Sequence, residues 1–175
     1  MTIFAADARP HSLSLLSHTL RPPATDSEWA ALRRIQHLTL RDRAGRPYPA
    51  EPSRIDPERL ALVLVYRGTV VGTVRIDRLD EVRVALRHVA IDPAAQGQGH
   101  GAQLIDMAEA LASARGAVEV VLHAVASSVA FYEKLDYRSV DWDEPAEHAT
   151  SVNLGKLLVT PSVLRRWLEP YAAAA

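Results

Sequence analysis

Leu86-Arg87-His88-Val89-Ala90-Ile91-Asp92-Pro93-Ala94-Ala95-Gln96-Gly97-Gln98-Gly99-His100-Gly101-Ala102 is the stretch that decides how this chain is read. Val82 to Ile91 is a mostly apolar strand-like run, and Asp92-Pro93 ends it because proline has no amide to give a ladder. A glycine turn follows at once. Ala102 to Arg115 then sets Leu104, Met107, Ala108, Leu111 and Ala112 along one side, the spacing of an amphipathic helix. A strand running into a glycine-rich turn and then a helix aims several backbone N–H groups at one point, where the helix dipole also favours negative charge. Gly97, Gly99 and Gly101 lack a Cβ, so a pyrophosphate can approach the main chain and the turn can use positive φ angles. The turn reads as an anion seat, although a tight connection without a ligand fits the same residues.

Outward from the turn, Gly116 stands where a left-handed C-terminal residue is wanted, and Val118 to Val125 is a further strand. Strand, helix and strand in that order imply a parallel pair joined by a right-handed crossover. Ser127-Ser128 can cap a short helix through Leu135. Tyr137 to Trp142 and Ser151 to Val159 suit a closing hairpin, and Thr160-Pro161 starts a last short helix. Upstream, Ser12 to Leu20 suits a first strand that Pro22-Pro23 stops. A helix capped by Asp26 or Ser27 follows, burying Trp29, Leu32, Ile35 and Leu38 (or Gln36). Leu60 to Tyr66 and Thr69 to Ile76 flank Arg67-Gly68 as an antiparallel hairpin, with Gly72 marking a bulge. Between helix and hairpin, Arg41 to Pro57 carries four prolines and Gly45, so it is expected to be a loop, either a binding lid or a plain connection.

Two phosphate-binding patterns fail on these residues. A P-loop needs Gly-Lys-Ser/Thr at the helix start, whereas Ala102-Gln103 follows Gly101. Gly97-Gln98-Gly99-His100-Gly101-Ala102 satisfies the dinucleotide fingerprint G-x-G-x-x-G/A, with Glu119 about 20 residues on. That fingerprint belongs in a first βα unit, however, and here four expected strands precede it while only about 75 residues follow. Glu119 also falls inside its strand, not at the strand's end.

The 175 residues, 48% of them hydrophobic, suffice for one core, so residues 1–175 are expected to form a single domain. Twenty basic and 21 acidic residues leave a net charge of −1, with no global bias toward nucleic acid or a membrane surface. The absence of cysteine excludes disulfides, thiolate metal ligands and a cysteine nucleophile. No apolar run approaches the roughly 20 residues that span a bilayer, and the first ten residues lack a basic start, so a cytoplasmic protein is expected.

Taken together, the motifs resemble the GNAT superfamily of acyl-CoA-dependent N-acyltransferases. Leu86 to Pro93 is similar to its central strand, and Gln96 to Gly101 to its Arg/Gln-x-x-Gly-x-Gly/Ala pyrophosphate loop. Ala130-Phe131-Tyr132-Glu133-Lys134-Leu135-Asp136-Tyr137 is similar to its late helix-and-strand signature. The resemblance is sharp over Val82 to Val140. It implies an α/β fold of the α+β type: a mixed, mostly antiparallel central sheet with one parallel β-α-β crossover, flanked by helices. It also implies acetyl-CoA (acyl-CoA) as co-substrate without a metal, transfer by direct attack to a small-molecule or peptide amine acceptor, and allows a homodimer.

By position, the resemblance makes Val89, Ala90 and Ile91 pantetheine contacts and Gln96, Gly97, Gln98, Gly99, His100, Gly101 and Ala102 the cofactor loop, with His100 expected to face solvent at the helix start. Tyr132 takes the family's position for the acid that protonates the departing thiolate. A phenol with an ordinary pKa near 10 keeps its proton at neutral pH. Many members place a glutamate where this chain has Val84-Ala85-Leu86, so the base is unassigned among Glu81, His88, Glu144 and His148, a water chain or a carbonyl. The family's frequent Asn is Val125 here, and its frequent Gly is Asp136, a residue type that tolerates left-handed turns. The missing strand acid also admits a non-catalytic acyl-CoA-binding or regulatory module.

Overall fold

A computed structural model describes residues 18–40, 56–142 and 151–158 of the chain. Among them seven strands form one sheet in the order β1-β2-β3-β4-β5-β7-β6: β1 (His18–Arg21), β2 (Arg59–Tyr66), β3 (Thr69–Arg78), β4 (Arg83–Ile91), β5 (Glu119–Val125), β6 (Arg138–Ser139) and β7 (Ser151–Leu157). Every neighbouring pair is antiparallel except β4 with β5, which are connected through the helix α2 (His100–Ala114). This is the mixed, mostly antiparallel sheet with one parallel pair expected from the sequence. Residues 12–17 of the expected first strand, residues 41–55 of the loop, Val159 and the helix from Thr160 lie outside the described residues.

Helix α1 (Asp26–Thr39) is capped by Thr25 instead of Asp26 or Ser27, because the Thr25 hydroxyl accepts from the Glu28 amide at 3.2 Å. Glu28 also takes the Ala24 amide at 2.7 Å and a two-pronged contact from Arg21 at 2.8 and 2.6 Å, which fixes the chain's entry from β1. The buried stripe is Trp29, Leu32, Ile35 and Gln36. Leu38, nine residues past Trp29 and so two and a half turns on, points the other way and is 56% exposed.

Arg67 (φ 49°) and Gly68 (φ 78°) both sit in the left-handed region, the geometry of a two-residue hairpin turn whose twist matches its strands. The expected bulge is present: Leu64 pairs with Gly72 and Val65 with Val70, leaving Val71 as the extra residue beside Gly72. On one face of the sheet Leu104, Ile105, Ala108 and Ala112 of α2 pack on Leu62, Leu64, Val74, Ile76, Val84, Leu86, Val120 and Leu122. On the other, Trp29, Leu32 and Ile35 of α1 cover Val63, Val70 and Ala90. Residues of β2, β3 and β4 therefore serve two different cores, one on each face.

Candidate functional site

Strand β4 is held on one side by β3 throughout but by β5 only through the pairs Arg83–Glu119, Val84–Val120 and Ala85–Val121. Beyond Ala85 the two parallel strands part. The cause lies in β4 itself: between the pairs Arg75–Arg87 and Thr73–Ala90, β3 contributes one residue and β4 two, His88 and Val89. His88 takes φ 52°, and the Thr73 hydroxyl fastens its carbonyl at 3.1 Å. A bulge of this kind bends its strand, here away from β5, which β7 holds along its whole length.

The wedge exposes main-chain groups of β4. Asp92 donates to the Val71 carbonyl at 2.9 Å, so in the alternating strand the polar groups of Ala90 also face β3, where Ala90 pairs with Thr73. Those of Val89 and Ile91 face the wedge. Of the three expected pantetheine contacts, Ala90 thus has its main chain turned away, and it adds its side chain to the core under α1.

At the open end of the wedge, Gly97 (φ 75°) and Gly99 (φ 84°) both need the left-handed region, and Gly99 caps α2. The helix therefore begins at His100, two residues before the expected Ala102. Gly101 differs: it is helical, and a Cβ there would stand 3.3 Å from the Phe131 ring. None of the amides from Gly97 to Ala102 donates to a backbone carbonyl among the described residues, and those at the head of α2 have no acceptor within the helix. The Gln96 and Gln98 side chains hold the turn by donating to the carbonyls of Ile91 (3.2 Å) and Ala94 (3.3 Å). His100 does not face solvent. Its ring is 5% exposed, with Nδ1 2.7 Å from His18 Nε2 and both rings against Tyr66.

Helix α3 (Val129–Glu133) follows β5 and carries Phe131 and Tyr132, whose rings meet edge to face at 5.0 Å. Tyr132 is 7% exposed, and burial raises its phenol well above the usual range, which keeps the proton on it. Asp136 takes φ 68°, the left-handed turn an aspartate tolerates, and releases the chain into Tyr137 and β6. Glu81 sits in the turn before β4, exposed beside Arg78 and Arg83 at the closed end of the β4–β5 pair. It is a poor base candidate because the wedge opens at the other end. His88 is at the wedge, but burial and then Arg75 lower its pKa to about 4, so its imidazole is a weak proton acceptor. Glu144 and His148 lie outside the described residues.

The face of the sheet opposite α2 carries residues the sequence analysis missed. Asp77 receives Arg75 at 2.6 and 2.7 Å and Arg87 at 3.0 Å. Arg87 lies over the Trp142 ring at 5.5 Å, and His123 stacks on the same ring at 4.2 Å. Arg87 and His123 are the first residues on that face beyond the Ala85–Val121 pair, so Trp142 spans the mouth where β4 and β5 part. The alternation of charged residues along β3 and β4 was the available signal, but it reads equally as a solvated face. Among the described residues no group of three or more His, Cys, Asp or Glu side chains is placed to hold a metal, and no helix is long and apolar enough to cross a membrane.

Residues 26–137 match the profile of the acetyltransferase (GNAT) family, more than half of the chain. Solved structures share the fold at low identity. An aminoglycoside 6'-N-acetyltransferase complexed with coenzyme A is 16% identical with a TM-score of 0.64, over 83% of this chain and 98% of that one. The ribosomal-protein-S18-alanine N-acetyltransferase of Escherichia coli is 18% identical with a TM-score of 0.61, over 82% and 96%. The PaiA N-acetyltransferase of Thermoplasma acidophilum, in complex with coenzyme A, is 15% identical with a TM-score of 0.61, over 81% and 99%.

Proposed function

Because the chain belongs to the acetyltransferase (GNAT) family, we propose that it transfers an acyl group, most simply acetyl, from a coenzyme A thioester to a primary amine by direct attack. The observation that carries this reading is the continuity of two features: the β4–β5 wedge, with the main chains of Val89 and Ile91 facing into it, and the unpaired amides of Gly97 to Ala102 at its open end. The diphosphate sits on those amides. The pantetheine arm pairs with β4 where β5 does not, and the thioester reaches the mouth spanned by Trp142.

There the acceptor nitrogen, as the neutral amine, bonds to the thioester carbonyl carbon as the carbon–sulfur bond breaks. Tyr132 gives its proton to the departing sulfur, and the proton shed by nitrogen leaves through solvent or a group on the Arg87–His123 face. Solvent then reprotonates Tyr132. The acceptor is a small molecule or a peptide amine that fits against that face.

Titration calorimetry with acetyl-CoA, followed by thioester consumption against a mixed amine panel, tests this. Binding with turnover is the expected result. Binding without turnover across the panel favours a non-catalytic acyl-CoA-binding module, a reading motivated by Val84-Ala85-Leu86 standing where many members carry an acid. Preference for NAD or ATP over coenzyme A would overturn both.

A further inference from the structure

Anion-binding turns commonly gain from a nearby fixed cation, yet the first turn of α2, His100-Gly101-Ala102-Gln103, carries no lysine, arginine or acidic residue. What lies beneath it is the His18–His100 pair. The two rings approach at 2.7 Å between His18 Nε2 and His100 Nδ1, on the first residue of the helix whose amides form the seat. At that separation one nitrogen must carry a proton and the other must not. A pair with one extra proton keeps the contact as a charge-assisted hydrogen bond. A second extra proton would set N–H against N–H and break it. The pair is therefore built to hold zero or one positive charge.

We propose that His18 and His100 form a proton-linked part of the diphosphate seat, taking up one proton when the coenzyme A diphosphate binds. This rests on the reading of the turn as a coenzyme A site. The groups around the pair leave room for such a charge. Tyr66 of β2 stacks on His18 at 4.6 Å and meets His100 at 5.0 Å, and Arg67 lies over the Tyr66 ring at 5.2 Å. On β1, Arg21 is held by Glu28, and Asp92 at the start of the turn is held by Arg34. No carboxylate among the described residues pairs with either ring, so the free protein has nothing to keep the pair charged. Burial and the neighbouring His100 hold His18 below the usual imidazole range. Near the helix terminus a diphosphate changes that balance, because one added positive charge strengthens its binding on the order of tenfold at the effective dielectric of a protein surface.

The test is titration calorimetry on the full chain from pH 6 to 8.5, in two buffers of different ionisation enthalpy. The ligand is acetyl-dephospho-CoA, which keeps the diphosphate but lacks the 3'-phosphate that titrates in the same range. Net uptake of about half a proton near pH 7, the most that a tenfold coupling allows, with affinity several-fold greater at pH 6.5 than at 8.5, is the expected result. Acetylpantetheine, which lacks the diphosphate, should bind with no pH dependence. His18→Gln and His100→Gln should bind acetyl-dephospho-CoA without proton uptake and with an affinity that no longer changes between pH 6.5 and 8.5. Zero uptake by the wild type, or uptake unchanged in both variants, overturns the proposal. If the variants fail to fold, the wild-type measurement decides alone. If no coenzyme A ligand binds at any pH, the coenzyme A reading falls first and this inference with it.

Discussion

Ala85 and Val121 form the last rung between β4 and β5, and everything that distinguishes this sheet from an ordinary core lies on the open side of that rung. Toward the closed end the strands are paired, and the exposed Glu81 stands outside. Toward the open end the chain places a bulge in β4, a glycine turn and the Arg87–Trp142–His123 bridge.

Tyr132→Phe removes the hydroxyl and keeps the edge-to-face packing with Phe131. Turnover should fall by about 10²-fold or more, within the usual range for a positioned acid, while acetyl-CoA affinity holds. Burial raises the wild-type phenol, so this group should produce no alkaline loss of rate below about pH 10, the unperturbed value. Steady-state kinetics beside calorimetry check both points, and unchanged turnover would remove Tyr132 from the mechanism.

Gly72→Ala places a Cβ 2.7 Å from Ile91 Cδ1 and 3.1 Å from the Ala90 carbonyl oxygen. The isoleucine tip can swing, but the carbonyl belongs to the β3–β4 ladder and cannot. Thermal denaturation should show a loss of about 1–3 kcal/mol. Because Ile91 lines the wedge, acetyl-CoA affinity should weaken as well.

The two glycines of the turn should respond differently. Gly99→Ala has open space around it but keeps a φ of +84°, so it should cost about 1–2 kcal/mol in backbone strain and weaken acetyl-CoA binding. Gly101→Ala has ordinary helical geometry and meets only the rim of Phe131 at 3.3 Å, a ring that can shift by a few tenths of an ångström. Its thermal midpoint should stay closer to wild type, and equal losses in both variants would contradict this division of roles.

Acid should destabilise the fold through His88. Its folded pKa, lowered to about 4, lies below the ordinary 6.5, so the unfolded chain binds the proton first. The contribution is present in full above pH 6.5 and is lost as pH falls from 6.5 to about 4, with about 3 kcal/mol as an upper bound from the linkage relation. Glu28, lowered to about 2 by Arg21, acts in a separate window, from about 4.5 down to about 2. Denaturant titrations at pH 7 and pH 5 isolate the histidine effect, and His88→Gln should reduce it, leaving the part that comes from His18, whose pKa is also lowered.

Local chemistry made much of the fold legible. Arg67-Gly68 announced its hairpin because a tight turn needs left-handed residues, and Gly116 announced the end of α2 for the same reason. Gly97 and Gly99 marked the turn before α2 through their own backbone requirements. The reading failed where a side chain's surroundings came from distant sequence. His100 was expected in solvent, yet its partner is 82 residues away on β1. Leu38 and Gln36 could not be ranked until α1 was laid on the sheet.

The sequence by itself determined the order of the elements, the glycine turn and the position of Tyr132, because these depend on backbone conformations and spacings that a few neighbouring residues dictate. Tertiary structure alone decided where β4 leaves β5, that Ala90 turns from the wedge while Val89 and Ile91 face it, and that Arg87, His123 and Trp142 meet at its mouth. The physical reason is that a bulge's effect and a strand's open edge are properties of pairing. Pairing is set by which strands lie alongside one another, and no single segment of the chain contains that information.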